Sequence, residues 1–170
     1  MKRVLVMGVS PGVGKSTLAK KLGEKLDLEV YHLDSLYWQP GWTERDNDSF
    51  RELQEHIVKK DSWIIDGNYS NSYDLRVKRA DTIIYLELPL IVCVYRVIKR
   101  RIVYARKTRE DMAKGCPEKV DWSFFTFILT TYRERQKKMR NRFKKLKNDE
   151  DCKVFMLMNR KDIENYIQNL

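Results

Sequence analysis

Lys15, Ser16 and Thr17 close the run from Gly8 to Thr17 (GVSPGVGKST), whose residue types suit the capture of an anion. Glycines at 8, 12 and 14 let main-chain N–H groups turn inward, and the positive end of a following helix completes a concavity for phosphate. In that setting Pro11, Gly12, Val13 and Gly14 wrap a triphosphate and Lys15 lies along its β- and γ-phosphates. Ser16 offers its hydroxyl to Mg2+, and Thr17 sits beside the α-phosphate. The usual spacing has a glycine where this chain has Val9, with Gly8 one residue earlier. Either the loop carries an extra residue and Gly8 makes the first turn, or Val9 adopts a conformation open to a β-branched residue. A glycine turn that merely joined two elements would leave Lys-Ser-Thr unexplained.

Two carboxylates extend this chemistry. Asp34 follows Glu29 to Leu33 (EVYHL), and Asp66 follows Ser62 to Ile65; both apolar runs read as short strands. In an open α/β sheet, ligands lie beyond the carboxyl ends of strands. Asp34 is thereby a candidate to orient or deprotonate an acceptor hydroxyl, and Asp66 a candidate second anchor for Mg2+. The plainer reading of Asp66-Gly67 is a turn. Tyr37, Trp38 and Trp42 surround a Pro-Gly turn, where they either line an acceptor site or pack a surface loop onto the core.

The elements needed to position these groups are legible as an alternation. Val4 to Met7 reads as a strand buried on both faces, and Leu18, Leu22 and Leu26 recur at helical spacing. Ser49 and Glu52 form a capping box before a helix that presents Phe50, Leu53 and Ile57. Thr82 to Leu86 predicts a fourth strand. The helix after Pro89 shows an apolar stripe at Ile91, Val94, Ile98 and Ile102, with Arg96, Lys99 and Arg100 off it. Residues 104–120 lack a core-facing period and read as a lid, within which Arg109 joins Arg100 as a candidate to neutralise a transferring phosphoryl group. From Trp122 a long helix carries a seam through Phe125, Leu129, Tyr132, Gln136, Met139, Phe143 and Leu146. Val154 to Met158 and residues 161–170 complete the pattern as a fifth strand and a closing helix.

The 170 residues suit one α/β domain, with residues 34–61 as an acceptor-binding insertion. The net charge of +10 is local: residues 96–109 and 133–147 together hold +15. Either block offers a nucleic-acid surface, but a solvated helix face is the simpler account of the second. Cys93, Cys116 and Cys152 show no metal or disulfide spacing, and His32 and His56 no metal-ligand spacing. With no signal peptide and no apolar run of membrane-spanning length, the expected location is cytoplasmic; oligomeric state is not legible.

The order of elements, the P-loop and the Asp66-Gly67 pair resemble the adenylate-kinase type of nucleoside monophosphate kinase. That resemblance implies a three-layer P-loop NTPase fold with a lid and a parallel sheet of order 2-3-1-4-5. It also implies ATP as donor, with Arg96 against the adenine and Arg100 on the phosphates. Asn68-Tyr69 stands where those kinases have Phe-Pro, and the monophosphate-binding Arg is absent there, leaving Tyr37, Asn68 and Arg76 as acceptor candidates beside Asp34. Over the full length, Gly8 to Thr17, Tyr31 to Trp42, Trp63 to Tyr69 and Lys107 to Glu118 are similar to the DNA topology modulation proteins. That family's name concerns an effect on supercoiling. The expectation is an ATP-dependent phosphotransferase acting on a small acceptor, the alternative a DNA-binding or topology-modulating protein that uses nucleotide as a switch. Asp34 also resembles the Asp after strand two in uridine and shikimate kinases, which meets the acceptor hydroxyl.

Overall fold

A computed structural model describes residues 1–105, 107–146 and 151–170. Its central sheet is parallel, in the order β2 (Val30–His32), β5 (Trp63–Asp66), β1 (Arg3–Gly8), β6 (Thr82–Leu86) and β7 (Lys153–Leu157). Counted among these five strands alone, the order is the expected 2-3-1-4-5. Two further strands escaped the sequence: β3 (Trp38–Gln39) and β4 (Thr43–Glu44) pair as a separate antiparallel hairpin about the Pro-Gly turn.

β1, β5 and β6 are buried along nearly their whole length, as β-branched and other apolar runs at the centre of a parallel sheet must be. Helices α1 (Lys15–Leu26), α2 (Leu33–Tyr37), α3 (Asn47–Val58) and α4 (Tyr73–Val77) connect the first strands, and α5 (Leu90–Val103), α6 (Trp122–Leu146) and α7 (Arg160–Gln168) the later ones. Register places Val6 of β1 opposite Asp66 and Ile84. The carboxyl ends of β1, β2 and β5 therefore open side by side, which brings the P-loop, Asp34 and Asp66 to one edge of the sheet.

Three local expectations are corrected. The cap of α3 is Asp46, whose Oδ1 accepts from Ser49 N at 2.8 Å, so the helix starts earlier than a Ser49–Glu52 box would have it. The core face of α5 is Cys93 and Val97, both fully buried, while Ile91 is 77 % and Ile102 71 % exposed. Arg96 and Arg100 share the inward side of that helix because the cleft there accepts charge. In α6 the first half turns Ile128, not Leu129, to the interior, and Trp122 is exposed; Tyr132, Met139 and Phe143 follow the expected seam. Among the described residues no helix is long and apolar enough to cross a membrane.

Buried polar contacts fix the helices over the sheet. Glu87, after β6, accepts from Gln136 Nε2 at 2.9 Å and from the Arg140 guanidinium, and Tyr132 donates to Leu88 O at 2.7 Å. Arg76 is wholly buried in α4 and donates to the carbonyls of Gly67 (3.0 Å), Asn68 (3.2 Å) and Tyr69 (2.5 Å). Burial pulls its pKa down to about 10. Its guanidinium ties down the strand-to-loop turn after Asp66, so the acceptor role expected of it does not hold. Arg76→Met should cost about 3 kcal/mol, since three buried carbonyls lose their donor at once. Urea unfolding of the two proteins measures this.

Candidate active site

The loop between β1 and α1 is bent by two glycines for different reasons. At Gly8 a Cβ would lie 2.4 Å from Val13 Cγ1, because the loop curls back over the strand end. Val9 has an ordinary φ, is fully buried and donates to Leu86 O at 3.0 Å. Val9 thus holds a conformation open to a β-branched residue, as the second sequence alternative requires, and Gly8 meets a separate need for a bare backbone against Val13. Gly12 has φ +80°, and a Cβ there would lie 2.3 Å from Cys93 O of α5. Gly12→Ala should destabilise the protein by about 3 kcal/mol, combining a left-handed backbone with overpacking. A thermal melt beside the wild type reads the loss.

Leu18 N donates to Gly14 O at 3.0 Å, closing the first turn of α1. The amides of Lys15, Ser16 and Thr17 precede that bond and remain for an anion, with the helix dipole behind them. Lys15 lines the cleft together with Pro11, Val13 and Ser16. Burial lowers the Lys15 pKa; Asp34 and Asp66 draw it back up, and Arg100 and Arg135 press it down. One ammonium thus lies between two acidic and two basic side chains, all within electrostatic reach.

Asp34 falls in the first turn of α2, just beyond β2, rather than in the strand itself. Tyr69 donates to its Oδ1 at 2.8 Å. Burial raises the Asp34 pKa, against the opposing pull of Lys15 and Tyr69, and the net displacement is upward. Arg109 of the lid also lowers it, so that arginine reaches the same centre. Asp66 is buried at the end of β5, and His32 Nδ1 lies 3.0 Å from its Oδ2. Burial opposes protonation of His32, yet its bond to Asp66 and the nearby charges of Asp66, Asp111 and Asp34 together outweigh this, and the His32 pKa rises.

Asn68 faces the cleft but spends its side chain on the loop: Oδ1 accepts from Gly8 N at 3.1 Å and Nδ2 donates to Gly8 O at 2.7 Å. It positions the P-loop while lining the cleft. Tyr37 does line the acceptor side; its OH donates to Glu44 Oε2 at 2.9 Å and its ring lies 5.0 Å from that of Tyr69. Arg96 Nη1 donates to Val13 O at 3.1 Å, at the P-loop where the resemblance had set it against adenine.

Residues 104–120, the stretch expected to form a lid, include Arg106, which lies outside the described residues. Glu118 is the buried anchor of that stretch, pairing with Arg100 Nε and Arg109 Nε, each at 2.8 Å. Asp111 takes Arg109 Nη1 at 2.9 Å. Both arginines assigned to the phosphates therefore share one carboxylate across the cleft. The lid also rests on the β3–β4 hairpin: Gly41 N donates to Gly115 O at 3.0 Å and Trp42 Nε1 to Pro117 O at 3.1 Å.

Arg135 was missed because it sits in a run of bases that reads as a solvated helix face. In α6 it turns inward, lines the cleft, and its guanidinium lies over the Phe127 ring at 4.6 Å. Its Nη2 is buried without a hydrogen-bond partner, and burial lowers its pKa. Arg140 on Glu87 and Arg142 over the Tyr73 ring are likewise turned onto the protein. Half-buried arginines at helix position i+7 among exposed lysines carry no periodic signal of their own.

No family model matches the chain, and no curated protein matches it. Solved structures do. A shikimate kinase from Bacteroides thetaiotaomicron aligns at 18% identity and TM-score 0.54, over 99% of this chain and 95% of that one. A shikimate kinase from Acinetobacter baumannii in complex with shikimate gives 11% identity and TM-score 0.58, over 99% and 90%. A gluconokinase from Sinorhizobium meliloti 1021 gives 13% identity and TM-score 0.52, over 99% and 94%. What this chain shares with them is the fold, a parallel five-stranded P-loop sheet enclosed by helices.

Proposed function

We propose that the protein transfers the γ-phosphoryl group of ATP to a hydroxyl of a small acceptor. The observation that carries this reading is that Lys15 of the phosphate loop and the half-buried carboxylate of Asp34 line one cleft, within electrostatic reach of each other. The acceptor oxygen forms its bond to the γ-phosphorus as the bond to the bridging β–γ oxygen breaks, and ADP departs. The hydroxyl proton passes to Asp34, whose raised pKa favours accepting it. Lys15, the loop amides, Arg100 and Arg109 stabilise the charge that spreads over the transferring group, the term that dominates such reactions. Arg135, with its unpartnered nitrogen near Lys15, is placed to join them.

The donor set fits Mg2+. Ser16 and Asp66 offer hard oxygen ligands, and no group of three or more metal-binding side chains occurs among the described residues. Magnesium is commonly held by one or two protein oxygens with phosphates completing its shell, and it neutralises phosphate charge. The hairpin at Trp38–Glu44 serves as the acceptor arm, and residues 107–119 as a lid that excludes water. The fold-sharing shikimate kinases and gluconokinase are small-molecule kinases by name, which supports the reaction class. The motifs that resemble those of DNA topology modulation proteins are compatible with it, because they fall on the phosphate loop, the acceptor arm, β5 with the turn after Asp66, and the lid.

An ADP-release assay across nucleosides, nucleotides, sugars and hydroxy acids tests the proposal. ADP formation at least tenfold above the rate with ATP alone is expected with the right acceptor. A rate indifferent to every compound would mark an ATPase or a nucleotide switch.

A further inference from the structure

The acceptor end of the cleft has a chemical character of its own. On one wall, Tyr69 holds Asp34 while Tyr37 holds Glu44, and the two phenol rings pack against each other. On the other wall Asp111 lines the cleft. Arg109 is also there, but its charge is already divided between Asp111 and Glu118. Arg135 couples to Lys15 and to Cys93, the residue whose carbonyl abuts Gly12, and so belongs with the donor phosphates.

At the mouth, Trp38 and Trp42 meet edge to face with centroids 5.2 Å apart. Trp42 has φ +64°, a left-handed backbone that bulky residues rarely adopt. Its indole bond to Pro117 O and its contact with Trp38 hold it there. Strain of this kind persists where the surroundings over-determine it, and it clusters at ligand clamps. The result is an aromatic clamp that meets the closed lid.

We propose that the acceptor is an uncharged or cationic, hydroxyl-bearing ring compound of the nucleoside or amino-sugar type, and not one carrying a phosphate or carboxylate. This rests on the phosphotransferase reading. Asp34 and Glu44 on the tyrosine wall repel an anion and attract an ammonium, while Asp111 is already paired with Arg109. The tryptophans offer a flat apolar face to a base or to the C–H face of a sugar. Tyrosine hydroxyls and carboxylates supply acceptors for ring hydroxyls.

Matched pairs test the assignment: adenosine, guanosine, cytidine and uridine against their 5′-monophosphates, and glucosamine against gluconate and shikimate. Each compound is assayed by transfer from radiolabelled ATP, and by thermal stabilisation with a non-hydrolysable ATP analogue. The neutral or cationic member should exceed its anionic counterpart at least tenfold in kcat/KM, with nucleosides and glucosamine separating the two sources. Glu44→Lys, at an exposed site, should shrink that preference at least fivefold. An anionic member favoured by the wild type, or a preference untouched by Glu44→Lys, would overturn the inference while leaving the phosphotransferase standing. Absence of transfer and of stabilisation across the panel, with ATP analogue still bound, would overturn both.

Discussion

Replacing Lys15 by Met should lower phosphoryl transfer by about 10²- to 10³-fold, the loss typical when one preorganised partner of transition-state charge is removed. The fold should not suffer. Burial depresses the Lys15 pKa from its usual value, so in the free protein the protonated amine opposes folding. The sign is definite: a lysine whose folded pKa lies below its unfolded value penalises folding below both, and the penalty fades as pH rises through that interval. Lys15→Met removes it, and its melting temperature without nucleotide should equal or exceed that of the wild type. Stabilisation by ATP should shrink in the variant. A variant that is hard to fold, or one that keeps full transfer, contradicts this assignment of the ammonium.

Asp34→Asn should cost about 10²- to 10⁴-fold in kcat with little change in KM for ATP, as expected for loss of a general base. The pH profile distinguishes that role from mere packing. Because burial raises the Asp34 pKa, the acidic limb of kcat/KM for the acceptor should lie above the ordinary carboxylate range near 4. Activity rises with pH across that limb as the carboxylate ionises. In Asp34→Asn the limb should vanish. A limb that survives unmoved assigns the proton to another group. Stability responds in the opposite sense: a carboxylate with a raised folded pKa weakens the fold as pH climbs past its unfolded value, so the amide variant should be the more stable above that point.

How far the sequence reached depended on the range of the interactions. The strand, glycine loop and helix of residues 4–18 are contiguous, and local propensity with motif spacing sufficed for them. Sheet order followed from the resemblance alone, since alternation of elements does not fix it. Asp34 and Asp66 were legible because each ends a strand, a position with a topological meaning. What failed were pairings distant in sequence. Arg76 and Asn68 carry the residue types of a binding site, but their partners are backbone groups at 67–69 and at Gly8, invisible to a linear reading. The α5 stripe misled because isoleucine at helical spacing reads as core, whereas the face toward the sheet is set by Gly12, which needs Cys93 and Val97 close by. Arg135 and Glu118 were hidden for the same reason: each is one charge within a charged run, distinguished only by what lies across the cleft.

The lid anchor bears on the catalytic cycle. Arg100 and Arg109 both pair with Glu118, which offsets the cost of keeping two cations in a half-buried cleft. Phosphate oxygens offer the same geometry with more charge. The hairpin contacts through Gly41 and Trp42 tie the β3–β4 turn to Gly115 and Pro117.

The central claim is transfer to a hydroxyl at a centre formed by Lys15 and Asp34, and phosphorus NMR of the reaction products tests it most directly. With ATP, Mg2+ and an acceptor mixture, a new phosphomonoester resonance should grow in step with ADP, and Asp34→Asn should suppress it. Inorganic phosphate as the sole product, formed at one rate with or without acceptors, would contradict the account.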